Sequence, residues 1–224
     1  MRILRGPAKG LRWISGSATH GCWLGTYELD KQRALARFIK PAMTIYDIGA
    51  QAGFYTLLFS RLTSESGRVI AFEPSPRELS FLVRHVAMNH LDNVTVISAA
   101  VSTQTGTASF SNDRGETMNA LAEGGSLMVR TIALDTAELP PPSLIKIDVE
   151  GAESMVLEGA RETLRRARPI VFVALHSAHQ KQLCSEILRS EWYDLRDLEG
   201  NQILGTPDTD EIYAIPAAPA SVKS

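Results

Sequence analysis

The chain has 224 residues, 44% of them hydrophobic, and its 23 lysines and arginines nearly balance 25 acids, for a formal net charge of −2. That length suits one or two domains with a sizeable core, and nothing in the pattern forces two. The charge balance excludes a global basic field for nucleic acid or anionic lipid. The longest apolar run, Ile170 to Leu175, is far too short to span a bilayer. Residues 1–7 lack the apolar region of a signal peptide. Cys22 and Cys184 stand far apart in no ligand spacing, as free thiols in a reducing compartment do. The expectation is a soluble cytoplasmic protein with no nucleic-acid or membrane partner.

Residues 1–27 are rich in Gly, Trp and Ser without a clear period. They read as an irregular lead-in and a candidate acceptor-side segment. Glu28 to Ile39 is predicted to be a helix with Leu35, Phe38 and Ile39 on one side, closed by Lys40-Pro41. The stretch Ile45-Tyr46-Asp47-Ile48-Gly49-Ala50-Gln51-Ala52-Gly53-Phe54-Tyr55 then starts as a strand, turns at two glycines and runs into a helix through Leu62. Gly49 allows a tight turn and close ligand approach because it has no Cβ. Gly53 leaves room over the helix N-terminus, where unpaired N–H groups point outward.

The spacing Asp47-x-Gly49-x-x-x-Gly53 differs from the Gly-x-Gly-x-x-Gly that brings a backbone onto a pyrophosphate. An acid ahead of the first glycine suits a ligand with a cationic end, such as an ammonium or a sulfonium. Arg68 to Phe72 is a second strand ending in Glu73-Pro74. An acid about 20 residues past the glycine turn is where ribose hydroxyls are held. Two acids ending consecutive strands, with no phosphate-binding lysine between them, describe S-adenosylmethionine better than NAD. Simple helix capping by both acids is the alternative.

Ser75-Pro76 opens a helix, with Leu79, Leu82, Val83, Val86 and His90 as its stripe. His85 and His90 are not in ligand spacing and read as surface or packing residues. Asn93 to Ser98 is a strand, Gly106 to Phe110 a short edge strand, and Val129 to Leu134 another. Between them, residues 111–128 are polar and contain glycine, as a lid or binding loop is. Ser143 to Ile147 is a buried strand ending in Asp148-Val149-Glu150-Gly151-Ala152-Glu153. One helix follows, with Val156, Leu157, Ala160 and Leu164 inward, up to Arg168-Pro169. Ile170 to Leu175, apolar on both faces, is a central strand ending at His176. Gln180 to Arg189 is a helix, and a strand-rich end surrounds the hairpin signal Glu199-Gly200-Asn201. Strand–helix alternation argues for an open α/β sheet with ligands at the carboxyl ends of its strands. The domain reads as residues 28–216, with 217–224 as a tail.

The runs Asp47 to Thr56, Ala71-Phe72-Glu73-Pro74 and Ile145-Lys146-Ile147-Asp148-Val149-Glu150-Gly151-Ala152-Glu153 resemble the FkbM-type S-adenosylmethionine-dependent methyltransferase family. The last block is the specific part. Gly25-Thr26-Tyr27-Glu28, Leu157-Glu158-Gly159-Ala160 and Pro169-Ile170-Val171 extend the match over most of the chain. The resemblance implies an α/β class I methyltransferase (Rossmann-like) fold. Its open, mostly parallel seven-stranded sheet has helices on both faces and its last strand antiparallel. The resemblance also implies S-adenosylmethionine as donor. Asp47, Gly49 and Gly53, with Ala50, Gln51, Phe54 and Tyr55 beside them, would take its amino acid end. Glu73 and Pro74 would take its ribose, and Ala99 and Ala100 would lie beside adenine. Asp148, from the residues themselves, could contact the donor, orient the acceptor or bind metal, or simply cap the following helix. There are two departures: Gln51 replaces the usual Asn, and Ala174-Leu175-His176 lacks an acid that members often carry before the histidine.

A sulfonium methyl is already activated, so catalysis is chiefly alignment of an acceptor. A hydroxyl acceptor must also lose its proton. Asp148, Glu150 and His176 are the candidate catalytic residues; His176 titrates near neutrality and needs no large shift to act as a base. No metal is assigned. The alternative is Mg²⁺ or Mn²⁺ held by Asp148, Glu150, Glu153 and His176, since hard ions favour carboxylate oxygen. The expected activity is methyl transfer to a hydroxyl of a small-molecule acceptor, a sugar or secondary metabolite. N-methylation of a small molecule or peptide, or a non-catalytic donor-binding scaffold, are the alternatives.

Overall fold

The structure, a computed structural model, describes residues 1–111, 120–121 and 127–217. Most of the polar stretch 111–128, read above as a lid or binding loop, lies outside the described residues. So does nearly all of the 217–224 tail.

After a short helix α1 (His20–Leu24), strand and helix alternate through α2 (Leu29–Phe38), β1 (Thr44–Ile48), α3 (Phe54–Thr63), β2 (Arg68–Phe72), α4 (Pro76–Met88) and β3 (Val94–Ile97). Strands β4 (Ala100–Val101), β5 (Gly106–Ser111), β6 (Ala120–Leu121) and β7 (Leu127–Ile132) follow. They form a second sheet in the order β4-β7-β5-β6. The predicted edge strand at Gly106 therefore sits inside that smaller sheet, between β7 and β6. The chain returns with β8 (Leu144–Ile147), α5 (Glu153–Glu158), α6 (Arg161–Ala167), β9 (Ile170–Ala174), α7 (Ala178–Ser190), β10 (Tyr193–Arg196) and β11 (Glu211–Pro216).

The main sheet has seven strands in the order β10-β11-β9-β8-β1-β2-β3. Neighbours from β3 to β9 pair parallel, while β11 runs antiparallel to both β9 and β10. Strand order reverses between β1 and β8, so the connections leave their carboxyl ends in opposite directions and open a crevice. Alternation along each strand sorts the core into two layers. Tyr46, Ile48, Ile145, Ile147, Val171 and Val173 face Val156, Leu157 and Leu188. Ile45, Leu144, Phe172 and Tyr213 face Leu35, Leu57 and Leu58. Ile3 and Trp13 of the lead-in are buried in that second layer, each such side chain contributing about 1.5–3 kcal/mol. Asp47 and Lys146 share its face, and strand register sets them side by side.

Two local predictions shift. The single helix expected after Glu153 breaks into α5 and α6 at Gly159, where a Cβ would stand 2.0 Å from the Ser102 carbonyl oxygen. The chain bends where β4's connection presses on it. On α4, Val83 is exposed while His85 is fully buried, because the lead-in covers the helix at His85, and the helix ends at Met88, leaving His90 exposed in the turn beyond it. Among the described residues no helix is long and apolar enough to cross a membrane.

Candidate active site

A cavity of about 500 Å³ lies at the point where strand order reverses. Its walls are the turn after β1, Glu73-Pro74 after β2, Ala99 to Val101, the loop after β8, and residues 16–20 of the lead-in. Gly49, Ala50, Gln51, Gly53, Phe54, Tyr55, Glu73, Pro74, Ala99, Ala100 and Asp148 all line it. A volume of this size suits a single nucleoside-sized ligand. Gly49 has φ 73°, and a Cβ there would fall 1.9 Å from the Asp148 carbonyl oxygen. The loops after β1 and β8 thus cross in contact, and only a glycine fits between them.

The Glu73 carboxylate braces this turn. Its two oxygens accept N–H bonds from Gln51 and Ser75, both at 2.7 Å. Burial pushes its carboxyl up to about 7, although those two amides work the other way. Asp47 does not line the cavity. It is fully buried; Thr56 Oγ1 donates to its Oδ2 at 2.6 Å, and Lys146 Nζ stands 3.2 Å from Oδ1. Lys146 also donates to the Gly49 carbonyl at 2.9 Å. The acid expected to meet the ligand's cationic end is matched by a lysine inside the protein, and supports the turn from beneath.

Asp148, Glu150, Glu153 and His176 do come together. His176 Nε2 lies 3.5 Å from both Asp148 Oδ1 and Glu150 Oε2. His176 Nδ1–H donates to Glu153 Oε1 at 2.7 Å, and the Gly151 N–H donates to the same oxygen. Asp148 and Glu150 line the cavity, and His176 and Glu153 stand behind them. His176 does not keep the near-neutral titration expected of it. The bond to Glu153 pushes it up to about 9 against the effect of burial, with Glu150 and Asp148 adding to the rise. Burial works to raise Asp148, but Lys31, Lys146 and His176 outweigh it and hold the group below the ordinary carboxylate range. Burial raises Glu150 despite His176.

Lys31 was not foreseen. Its ammonium is 2% exposed and sits 2.6 Å from Glu211, 3.3 Å from Asp148 and 3.4 Å from Glu28. Burial opposes its charge, and Asp148, Glu211 and Glu28 together hold its pKa above the usual value. Tyr55 Oη–H donates to Glu28 at 2.7 Å. Glu211 pairs with Ala174 across β11 and β9, and cross-strand partners share a face. Glu211 thus puts a carboxylate beside Ala174, on the neighbouring strand. Glu28 and Lys31 are one helical turn apart, but Glu211 is 180 residues from Lys31, and no local pattern announces that pairing.

The lead-in is pinned to the same site. Trp13 stacks on His85 at 4.0 Å. The Ile14 N–H donates to His85 Nε2 at 2.9 Å, so Nδ1–H donates to the Ala52 carbonyl at 2.7 Å. Burial lowers the His85 pKa, in keeping with the neutral ring that this bonding requires. Ser17, Thr19 and His20 then reach the cavity wall.

The sheet order, the single antiparallel strand and the crevice above β1 and β8 define a class I, Rossmann-like methyltransferase fold. A solved FkbM methyltransferase from Methylobacillus flagellatus KT superimposes with a TM-score of 0.55 at 17% identity, covering 88% of this chain and 55% of that one. Residues 47–214 match the methyltransferase FkbM domain, and the chain belongs to that family. It is 26% identical over 156 residues to the hexuronic acid methyltransferase AglP of Haloferax volcanii, covering 67% of this chain and 63% of AglP. It is 31% identical over 153 residues to the 2-O-methyltransferase NoeI of Sinorhizobium fredii, covering 58% of this chain and 62% of NoeI. The chain thus spans less than two-thirds of the length of either relative.

Proposed function

We propose that the protein transfers a methyl group from S-adenosylmethionine to a hydroxyl of a sugar or related small molecule. One observation carries this reading: a single cavity joins the Gly49–Gly53 turn and Glu73 to Asp148 and Glu150. Glu73 would hold the ribose of a donor and the turn its amino acid end, and Asp148 and Glu150 would face the same cavity. The names of the two relatives, a hexuronic acid methyltransferase and a 2-O-methyltransferase, support a sugar hydroxyl as acceptor.

In the transfer the S–CH₃ bond breaks with its electron pair going to sulfur, and an O–CH₃ bond forms. The hydroxyl proton leaves at the Asp148–Glu150 end of the cavity. His176, protonated at neutral pH in the free protein, cannot receive that proton, so the carboxylates face the hydroxyl and the imidazolium balances them. Asp47 and Lys146 act indirectly, by fixing the turn that seats the donor. Calorimetric titration with S-adenosylmethionine, S-adenosylhomocysteine and NAD⁺ tests the donor. Binding of both adenosyl compounds and not NAD⁺ is expected. Transfer of labelled methyl to a panel of sugars including hexuronic acids, read by mass spectrometry, tests the acceptor. Absence of adenosyl binding overturns the reading.

A further inference from the structure

The carboxylates behind the cavity outnumber the cations that face them. Among the described residues, Glu28, Asp47, Asp148, Glu150, Glu153 and Glu211 meet only the cations Lys31, Lys146 and His176. Lys146 is committed to Asp47 and the Gly49 carbonyl and Lys31 to Glu28 and Glu211, and the two lysines share one oxygen of Asp148, Oδ2, at 3.8 and 3.3 Å. The other Asp148 oxygen, Glu150 and Glu153 share one imidazole. Glu153 is fully buried, and its Oε2 has no hydrogen-bond partner among the described residues. Side-chain charge here exceeds what the protein itself satisfies, and unmatched buried charge is expensive.

We propose that Asp148, Glu150 and His176 bind a divalent cation of the Mn²⁺ or Mg²⁺ class, which holds the acceptor hydroxyl; the second half of this rests on the methyl-transfer reading above. One ligand atom from each residue lies within 4.8 Å of the others, and Nε2 is 3.5 Å from each carboxylate oxygen. An octahedral ion with bonds of about 2.1 Å needs neighbouring ligands about 3 Å apart, so modest contraction closes the face. Glu153 holds the far ring nitrogen, the outer-shell carboxylate that orients a metal-binding histidine, and the cation takes the place of the Nε2 proton, which is released to water. Two carboxylates with one imidazole suit hard divalent ions. Asp148 and Glu150 line the cavity, so the remaining coordination positions open toward the acceptor. With the cation in place the hydroxyl becomes more acidic. Its proton leaves to water, while the S–CH₃ pair returns to sulfur and the O–CH₃ bond forms.

The test uses the full chain stripped with a chelator and dialysed, then titrated with Mn²⁺ under electron paramagnetic resonance and calorimetry. One saturable Mn²⁺ site per chain is expected. Glu150→Gln and His176→Ala should each weaken it at least tenfold, while S-adenosylhomocysteine binds the Glu150→Gln protein within twofold of the parent. No saturable Mn²⁺ site, or unchanged Mn²⁺ affinity in either variant, overturns the proposal. S-adenosylhomocysteine titrated into the same samples separates the two failures. Donor binding without Mn²⁺ binding removes only the cation site. Mn²⁺ binding without donor binding removes the methyl-transfer reading and leaves the cation site standing.

Discussion

Two lysines are buried within 5.5 Å of the Tyr55 ring, and both approach Asp148, yet they come to their places by different routes. Lys146 lies beside Asp47 because β1 and β8 pair in a fixed register, and it ties the donor turn through the Gly49 carbonyl. Lys31 comes from α2 and meets Glu211 on β11 and Asp148 after β8, three segments that only the finished fold brings together. One buried charge is set by neighbouring strands and supports the donor end of the cavity. The other is set by tertiary assembly and supports the acceptor end. The two ends should therefore fail separately when each lysine is removed.

The largest effect is expected where the two ends touch. Gly49→Ala places a Cβ 1.9 Å from the Asp148 carbonyl oxygen at φ 73°, and backbone on both sides leaves nothing flexible to yield. A loss of about 4 kcal/mol or more is expected, at the extreme of single substitutions, together with loss of detectable S-adenosylhomocysteine binding. Thermal melts and calorimetry check both. A variant with parental melting and affinity would show that the loops do not cross in contact.

Next come the lysines themselves. Removing one member of a buried ionic cluster costs about 3–5 kcal/mol, because the carboxylates left behind are uncompensated. Lys31→Met and Lys146→Met should both lose stability on that scale. Measured well below their melting temperatures, Lys146→Met should weaken S-adenosylhomocysteine at least tenfold, while Lys31→Met should leave it within twofold and lower kcat. Equal losses of donor affinity in both would erase the division between the two ends.

The chemistry of the donor end was legible because it is contiguous. Asp47, Gly49, Gly53 and Glu73 stand at two strand ends with helices behind them, so spacing marked the turn and the acid after β2, and the family resemblance supplied the rest of the wall. The acidic block from Asp148 to Glu153 was legible for the same reason. Lys31 and Glu211 were not, since a lysine in an amphipathic helix and a glutamate opening a strand normally face solvent. His85 was read as ordinary because its partners, Trp13, Ile14 and Ala52, lie far along the chain from it. The broken helix at Gly159 depends on Ser102, another long-range contact. The sequence therefore exposed the fold and the donor turn. The network that sets the charge of the acceptor end appears only in three dimensions.

The pH responses of donor binding and stability run in opposite directions. Glu73 and Glu211 are both pushed up to about 7 from 4.5, chiefly by burial. The folded state then holds those protons more tightly than the unfolded chain. Their stabilising contribution is full below pH 4.5 and is lost as pH rises through about 7. His176, pushed up to about 9, acts in the same sense over 6.5 to 9. The donor-free protein should therefore melt at lower temperature as pH rises from 6 to 9. Ribose hydroxyls donate to an ionised Glu73, so S-adenosylhomocysteine affinity should rise severalfold between pH 6 and 8. Glu73→Gln should flatten that rise and weaken donor binding at least tenfold, since its single amide oxygen can accept from only one of the Gln51 and Ser75 N–H groups. A pH-independent donor affinity in the parent protein would remove Glu73 from the ribose.

The smallest effect concerns a residue whose backbone matters more than its side chain. Gln51 has φ 49°, a left-handed conformation in which Asn is several-fold enriched over most residues. Its contact with Glu73 is made by the main-chain N–H at 2.7 Å, which any non-proline residue keeps. Gln51→Asn should therefore ease the turn without altering the donor's seat. A gain of a few tenths of a kcal/mol to about 1 is the scale for relieving such strain, or about 1–4 °C in Tm for a chain of this size. S-adenosylhomocysteine affinity should stay within twofold, because the donor end is built from backbone geometry held by Glu73 below and Lys146 behind. A tenfold loss of affinity would mean that the Gln51 side chain itself reaches the donor, and that the turn recognises its ligand through side chains after all.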